Sequence, residues 1–388
     1  MSESAILEIE GLYLAENLAE EYESQYGMKP FNLSHWDPSE QTTRELLKYL
    51  RLPKPTIVIP YIYSYDEGQH RTLRQLGFSS SLRHCWFVNS GTIAVLLAAW
   101  WLKAQSIDRL VVLGPTYFPI FHMQTVICLP TDCLYMRRVG GSWHLPQEEI
   151  LAAINSNSGR TALWVTNPVF STGCYLSDGD SDFLAFLLRD GATLVVDECL
   201  SINGKEIGPK FETYKQFLGI YSPHKSLCIN STKFAAVVYD QLYEDFFQCW
   251  TDVLAGPLAS SSYSSINHFL GENFVDFQHT FLANLASTRD KVLKVIHQSD
   301  GLIDTDKDSI GNFITCYAQR IPGINGNDAE FLRDLIWSTG ATLIPGIRSY
   351  MDPALGFSFR INLARACTQF YSALHRLTNY LRQHSLRT

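Results

Sequence analysis

Several short stretches of the chain set a chemically useful side chain where an apolar run stops. Ser90-Gly91-Thr92 follows a run ending at Asn89 and opens an apolar helix. Two hydroxyls and unbonded backbone N–H groups thus meet at a helix N-terminus, a natural seat for a phosphate. Hydroxyls in that place also serve as ordinary N-caps. Gly114-Pro115-Thr116-Tyr117 brings an aromatic ring to the next strand end, and Thr166-Asn167-Pro168-Val169-Phe170-Ser171-Thr172-Gly173 follows another. Ligands of open α/β sheets bind along that edge. The run Thr193-Leu-Val-Val closes on Asp197, an acid costly to bury unless it meets a cation or a hydrogen-bond donor. Ser222-Pro223-His224-Lys225-Ser226 supplies a lysine, Lys233 stands eight residues further on, and Phe359-Arg360-Ile361-Asn362 supplies a late arginine. Each piece alone is ordinary, but their order is not: phosphate cap, aromatic, Asn-Pro turn, strand-end acid, lysine, second cation, arginine.

The elements that must position these residues read as α/β. Strand-like runs are expected at Cys85–Asn89, Leu110–Leu113, Thr125–Leu129, Ala162–Thr166, Thr193–Asp197, Ser226–Asn230 and Ala235–Tyr239. Helical patterns fall between them, most clearly Thr92–Ala104, Glu148–Asn155 and Asp180–Arg189, the last opened by a Ser/Asp-rich capping stretch. This alternation predicts a mostly parallel sheet. Past Ala255 the texture changes: a Ser-rich turn, a long helix over Val275–Gln298, then strands at Asn312–Arg320, Ala341–Pro345 and Phe357–Leu363 with helices near Asn327–Ser338 and Cys367–His384. The expected organisation is an N-terminal segment (1–45), extended at Phe31-Asn-Leu-Ser and packed on the smaller domain or a dimer partner, a large domain (46–260) and a small α+β domain (261–388).

Composition narrows the function. The 388 residues carry 31 Lys+Arg against 39 Asp+Glu, a net charge of −8, with 46% hydrophobic, 13% aromatic and only 18% charged residues. That excludes wholesale disorder, and an acidic chain without basic runs is not built to neutralise nucleic-acid phosphates. The longest apolar run, Ile93 to Leu102, is too short to span a bilayer. Met1-Ser-Glu-Ser-Ala-Ile-Leu-Glu does not read as a signal peptide. Nine scattered cysteines without a CxxC pair point to a reducing cytoplasm, and no His/Cys spacing suggests a metal.

With these residues in this order the chain resembles the fold-type I pyridoxal 5′-phosphate enzymes, in the class I/II aminotransferase-like superfamily, from about Asn32 to the C-terminus. The resemblance implies a three-layer α/β/α large domain with a seven-stranded, mostly parallel sheet and a smaller α+β domain. It implies that Lys225 forms the Schiff base with pyridoxal phosphate and shuttles the substrate proton. Asp197 would pair with the pyridine nitrogen so that the ring acts as an electron sink. Ser90, Gly91, Thr92, Ser222 and Lys233 would hold the phosphate, with Tyr117 stacked on the ring. Lys225 is preferred to Lys233 as the catalytic lysine because family members carry a cation eight residues after it, then a small residue and a strand, and choosing Lys233 leaves Gln241 at the cation position. Arg360 matches the arginine that grips the α-carboxylate, with Arg348 as the fallback. Tyr63, or Tyr65, resembles the tyrosine that reaches the phosphate of a neighbouring subunit, implying a homodimer with shared sites. The implied partners are an amino acid and a 2-oxo acid, with neither nucleic acid nor membrane.

The chain also departs from the family pattern. Phe170 stands where an asparagine usually meets the cofactor 3′ oxygen, with Asn167 as a substitute if the loop bends differently, and Leu200 stands where a tyrosine usually does. Lys233 replaces an arginine, and His224 before the lysine is atypical. Transamination is the first reading. A divergent pyridoxal-phosphate chemistry (elimination or replacement, decarboxylation, cyclisation, oxidation) is the second, and a cofactor-binding protein without turnover the third. Trp36, beside His35, with Phe118 and Phe170 hints at an apolar or aromatic substrate lining, although aromatics in a chain with 8 Trp and 22 Phe more often serve the core.

Overall fold

The computed structural model of the chain describes residues 13–49, 66–79, 81–155, 159–230, 233–299, 301–318 and 329–385. They cluster into two compact units. The smaller takes in the described residues of Met1–Lys48, Ser171–Gly173 and Leu282–Thr388, and the larger those of Tyr49–Phe170 and Cys174–Phe281.

In chain order the elements begin with α1 (Leu14–Tyr26), β1 (Phe31–Asn32), α2 (Glu40–Tyr49) and α3 (Asp66–Gln75). Then come β2 (Arg83–Val88), α4 (Gly91–Ala104), β3 (Arg109–Gly114), α5 (Pro119–Val126), β4 (Thr131–Tyr135), the hairpin β5 (Arg137–Val139) and β6 (Ser142–His144), and α6 (Gln147–Asn155). β7 (Thr161–Thr166), α7 (Asp178–Arg189), β8 (Thr193–Glu198), β9 (Phe217–Tyr221), β10 (Ala235–Asp240), α8 (Glu244–Leu254) and α9 (Ser260–Phe269) follow. The chain closes with α10 (Phe274–His297), β11 (Asp304–Thr305), β12 (Phe313–Ala318), α11 (Ala329–Thr339), β13 (Ala341–Thr342), β14 (Ile344–Pro345), β15 (Phe357–Asn362) and α12 (Thr368–Ser385).

The larger unit is built on a seven-stranded sheet of order β2-β10-β9-β8-β7-β3-β4. Every neighbouring pair from β9 to β4 is parallel, whereas β10 runs antiparallel to both β2 and β9. Central strands of such sheets are covered on both faces and read as unbroken apolar runs; β7, β8, β9 and β10 are buried at every position. Helix α4, apolar nearly all round, lies in this core, where Trp101 and Trp164 are fully buried. Helix α7 starts with a reciprocal cap: Ser177 Oγ accepts from the Asp180 N–H at 3.1 Å, and Asp180 Oδ2 accepts from the Ser177 N–H at 3.4 Å. Asp180 Oδ1 also accepts from the Leu145 N–H, which explains an acid tolerated in the core. The sheet ends at β2, against which α3 packs, and at β4, whose side chains are half-buried or exposed.

The smaller unit is α+β. Its four-stranded antiparallel sheet has the order β11-β12-β15-β14. The N-terminal strand β1 pairs in parallel with β13, Phe31 opposite Ala341. The division between the units falls inside α10, between Phe281 and Leu282, so α9 and the start of α10 count with the larger unit and not, as their position after residue 260 suggested, with the smaller.

Two expected strands are corrected. Thr125–Leu129 is the end of helix α5 and the turn after it, and the strand comes later, at Thr131–Tyr135. Ile127 and Leu129 are buried from a turn, and a short apolar run does not tell strand from buried helix end. Ser226–Asn230 is not a strand either. A 3-10 helix, Pro223–Leu227, occupies its first part, because Pro223 has no N–H to give a central strand. The strand lies just upstream, where Gly219 interrupts the apolar pattern of Phe217-Leu-Gly-Ile-Tyr221. A Cβ on Gly219 would sit 2.7 Å from the Tyr221 ring and from its hydroxyl. Gly219→Ala is therefore expected to lower stability by about 1–3 kcal/mol, read as a lower urea midpoint at unchanged slope.

Candidate active site

The topology decides which residues gather in the larger unit. β2, β3, β7 and β9 deliver Ser90, Tyr117, Asn167 and Lys225 just beyond their C-terminal ends, and β8 carries Asp197 as its next-to-last residue. β10 runs the other way and so begins at that edge. Ala235 is opposite Val88, and continuing that register two residues back brings Lys233 level with Ser90.

Ser90 is the N-cap of α4, its Oγ accepting from the Ile93 N–H at 3.2 Å, which leaves its own proton for another acceptor. A side chain at Gly91 would be crowded: a Cβ there would lie 3.0 Å from Lys225 Nζ and 3.3 Å from Cys199 Sγ. The lysine amine and a thiol therefore both rest against the start of α4. Thr92 Oγ1 lies 3.5 Å from the Tyr117 hydroxyl, and Lys225 Nζ stands 5.4 Å from the Tyr117 ring centre. The same ring meets Phe170 at 5.8 Å and Phe118 at 5.5 Å.

Asp197 is buried, with Oδ1 accepting from the Cys199 N–H at 3.0 Å. Burial works against the charge of Lys225, but its acidic neighbours, the Asp197 carboxylate among them, outweigh it and hold the amine above its ordinary value. Burial and the Asp197 carboxylate keep the Cys199 thiol well above its usual range, so it stands as a neutral thiol. Lys225 is packed round by protein yet keeps part of its surface open, as a group in a hollow does.

Two expected residues, Asn167 and Ser222, are more committed than their types suggest. Asn167 donates from Nδ2 to Glu198 Oε1 at 2.7 Å and accepts the Leu176 N–H on Oδ1 at 3.1 Å, leaving one amide N–H unassigned by these bonds. Its partner Glu198, which also accepts from the Ile207 and Gly208 N–H groups, is pushed up to about 7 by burial. Ser222 spends its proton on the Phe234 carbonyl at 2.7 Å, so in this rotamer it is not a donor to an anion. Lys233 is exposed, its carbonyl accepting from Ser262 Oγ. Leu200 is half-buried and apolar. Tyr63 and Tyr65 lie outside the described residues.

In the smaller unit Arg360 sits on β15, opposite Thr315 of β12, and is buried. Its guanidinium carbon lies 4.1 Å from the centre of the Trp36 ring and 4.8 Å from that of Phe313, while Nε donates to the Ser34 carbonyl at 3.3 Å and Nη1 to Ser171 Oγ at 3.4 Å. Asn362 Nδ2 donates to the His35 carbonyl at 2.7 Å, tying the 34–36 stretch to this strand. Arg348 is ion-paired with Glu16 and lies over the Tyr13 ring. As fallback carboxylate ligand it is therefore already engaged by an acid of the chain itself.

Sequence reasoning missed Cys199, whose only signal was its place two residues beyond a strand-end acid, and Phe313, Ser34 and His268, which long-range folding brings in. Among the described residues no helix is long and apolar enough to cross a membrane, and no group of three or more His, Cys, Asp or Glu could hold a metal ion.

No protein-family model and no curated protein matches the sequence. Solved structures do match in three dimensions. The chain is similar to alanine aminotransferase from Pyrococcus furiosus, with 17% identity over 99% of this chain and 100% of that one and a TM-score of 0.76. It is similar to a multiple substrate aminotransferase from Thermococcus profundus, with 13% identity over 100% and 97% and a TM-score of 0.75. It is also similar to a pyridoxal-phosphate-bound C-S lyase from Staphylococcus hominis, with 14% identity over 90% and 88% and a TM-score of 0.72. The chain has the fold of these proteins, the α/β architecture with a seven-stranded, mostly parallel sheet.

Next to Lys225, His224 is buried among aromatic rings with Nε2 3.1 Å from His268 Nδ1, and burial pulls it down to about 3 from 6.5. The unfolded chain binds a proton as pH falls through 6.5, whereas the folded chain refuses it until about 3. The stability from this residue is complete above 6.5 and is lost progressively below it. Unfolding midpoints measured over a pH series should fall on that side, and the slope should be shallower in His224→Gln, which removes the titrating group.

Proposed function

We propose that this chain is a pyridoxal 5′-phosphate-dependent aminotransferase that moves the amino group of an α-amino acid to a 2-oxo acid. The observation that carries this reading is the placement of Lys225 Nζ against the N-terminus of α4, beside the buried acid Asp197. The residues fit the cofactor. Gly91 leaves a cradle that any Cβ would fill, Ser90 and Thr92 offer hydroxyls there, and Lys233 adds a cation by register. The helix start and these donors suit a phosphate monoester, and Tyr117 offers a ring face.

When bound, pyridoxal phosphate supplies an aldehyde that condenses with amines and a ring that accepts the electron pair of the substrate Cα–H bond. Lys225 Nζ holds the cofactor and is the base that takes the Cα proton and returns it. The Asp197 carboxylate keeps a proton on the ring nitrogen, a role that needs an ionised acid shielded from water. Arg360, held against the rings of Trp36 and Phe313, carries the planar fork that suits two parallel bonds to a carboxylate. The chain acts as a homodimer in the cytoplasm, Tyr63 or Tyr65 reaching the partner's phosphate. Nine free cysteines accord with a reducing compartment.

A second reading is favoured by one observation. Phe170 and Leu200 give the ring 3′ oxygen no donor, and most of the Asn167 amide is committed to Glu198 and Leu176. A site without those donors would suit a different outcome at the substrate amino acid, as in elimination, decarboxylation, cyclisation or oxidation. Incubation with a panel of amino acids separates the two. Pyridoxamine phosphate with one equivalent of keto acid means transamination, whereas ammonia, carbon dioxide or oxygen uptake means the divergent chemistry.

Lys225→Ala is expected to lose the visible absorption band and the borohydride-fixed label while its circular dichroism is unchanged; a label that persists would remove Lys225 from this role. Arg360→Ala should raise the amino-acid KM about 10- to 100-fold, the worth of a charge-assisted pair, with the visible band intact.

A further inference from the structure

Lys225 stands on a turn whose other side is held by groups that the chemistry above does not use. Successive side chains of a 3-10 helix point about 120° apart, so His224 and Lys225 leave Pro223–Leu227 in different directions. His224 enters a box made by Phe234 at 5.3 Å, Phe274 at 5.2 Å and His268 at 5.4 Å between ring centres, and there its Nε2 meets His268 Nδ1 at 3.1 Å.

His268 belongs to α9, and that helix touches the loops of the candidate site repeatedly. Asn89, just before Ser90, clasps the approach to α9 by accepting the Ala259 N–H at 2.9 Å and donating to the Pro257 carbonyl at 3.2 Å. Ser262 Oγ donates to the Lys233 carbonyl at 2.6 Å. On α10, Phe274 packs against both histidines, and one turn later Gln278 Nε2 donates to Ser226 Oγ at 2.6 Å.

Resting on the cofactor reading above, we propose that His268 is a positioning residue for Lys225, acting through its Nδ1 bond to His224. Aromatic walls fix how deeply the His224 ring lies but not its rotation, whereas a hydrogen bond is directional. The other nitrogen, His224 Nδ1, is buried and has no hydrogen-bond partner among the described residues. The bond to His268 is therefore the polar tie of this ring. Without it both nitrogens stand unsatisfied in an apolar box, a state a buried polar group avoids by moving. Rotation of His224 would swing the turn and carry Nζ away from Gly91.

The bonded atom dictates the test. His268→Asn sets an amide atom where Nδ1 stands, His268→Gln sets it one bond further out, and His268→Leu fills the space without it. The full chain is loaded with pyridoxal phosphate over a concentration series and fixed with borohydride. The label on the Lys225 peptide is quantified by mass spectrometry, with circular dichroism as the folding control. Leu and Gln should weaken apparent cofactor affinity about five- to tenfold, the worth of one buried hydrogen bond, and Asn should restore it. If Leu fails to fold, the contrast of Asn with Gln decides. Asn no better than Gln, or all three equal to wild type, overturns the inference. A wild-type chain that takes no label at Lys225 instead fails the cofactor reading itself, and the inference with it.

Discussion

A lysine amine resting against the N-terminus of a helix is a conflict of like charge, since that end of α4 carries the positive pole of its backbone dipole. Asp197 and the face of Tyr117 oppose the conflict, and they do so from residues that must themselves be buried. The surrounding groups do not relieve it with further acids. Ser90 and Thr92 bring hydroxyls, and β10 brings Lys233 to the same edge. In a chain of net charge −8 this hollow is biased the other way, and an anion with several acceptor oxygens is the natural resolution. The absence of a side chain at position 91, the acid at the end of β8 and the packed turn under Lys225 all serve this one arrangement.

The sheet makes the arrangement possible at little cost in chain length. Parallel strands all stop at one edge, so each contributes its next few residues to the same place. A wholly parallel sheet would leave the residues before a strand at the far side. Reversing β10 between β2 and β9 lets the approach to a strand, as well as the exit from others, take part. The turn carrying Lys225 and the cation at 233 thus flank the same edge, although the chain between them runs through residues 226–232.

Much of this was legible in the sequence because burial and chemistry alternate so sharply along it. An apolar run closed by Asp197 states its own problem, and the order of acid, lysine and second cation could be read even though β9 itself was not. Gly219 hid that strand by breaking the apolar pattern, yet Lys225 could still be singled out, because the motif after a strand is more distinctive than the strand. What the sequence withheld were commitments made across distance. Nothing local ties Arg348 to Glu16, Ser222 to the Phe234 carbonyl or Asn167 to Glu198. The pairing of His224 with His268 spans 44 residues. Side-chain type announces capacity, and only the fold shows what has already been spent.

The two borders of the seven-stranded sheet are guarded differently. β2 is buried at all but one position, and α3 packs against it. β4 is short, and its outward Asp132 is ion-paired with Arg109 of the neighbouring strand. An open strand edge is a template for pairing with another chain, and a charge there discourages it. The sheet can therefore carry four fully buried strands through its middle while its margins are shielded from pairing with another chain.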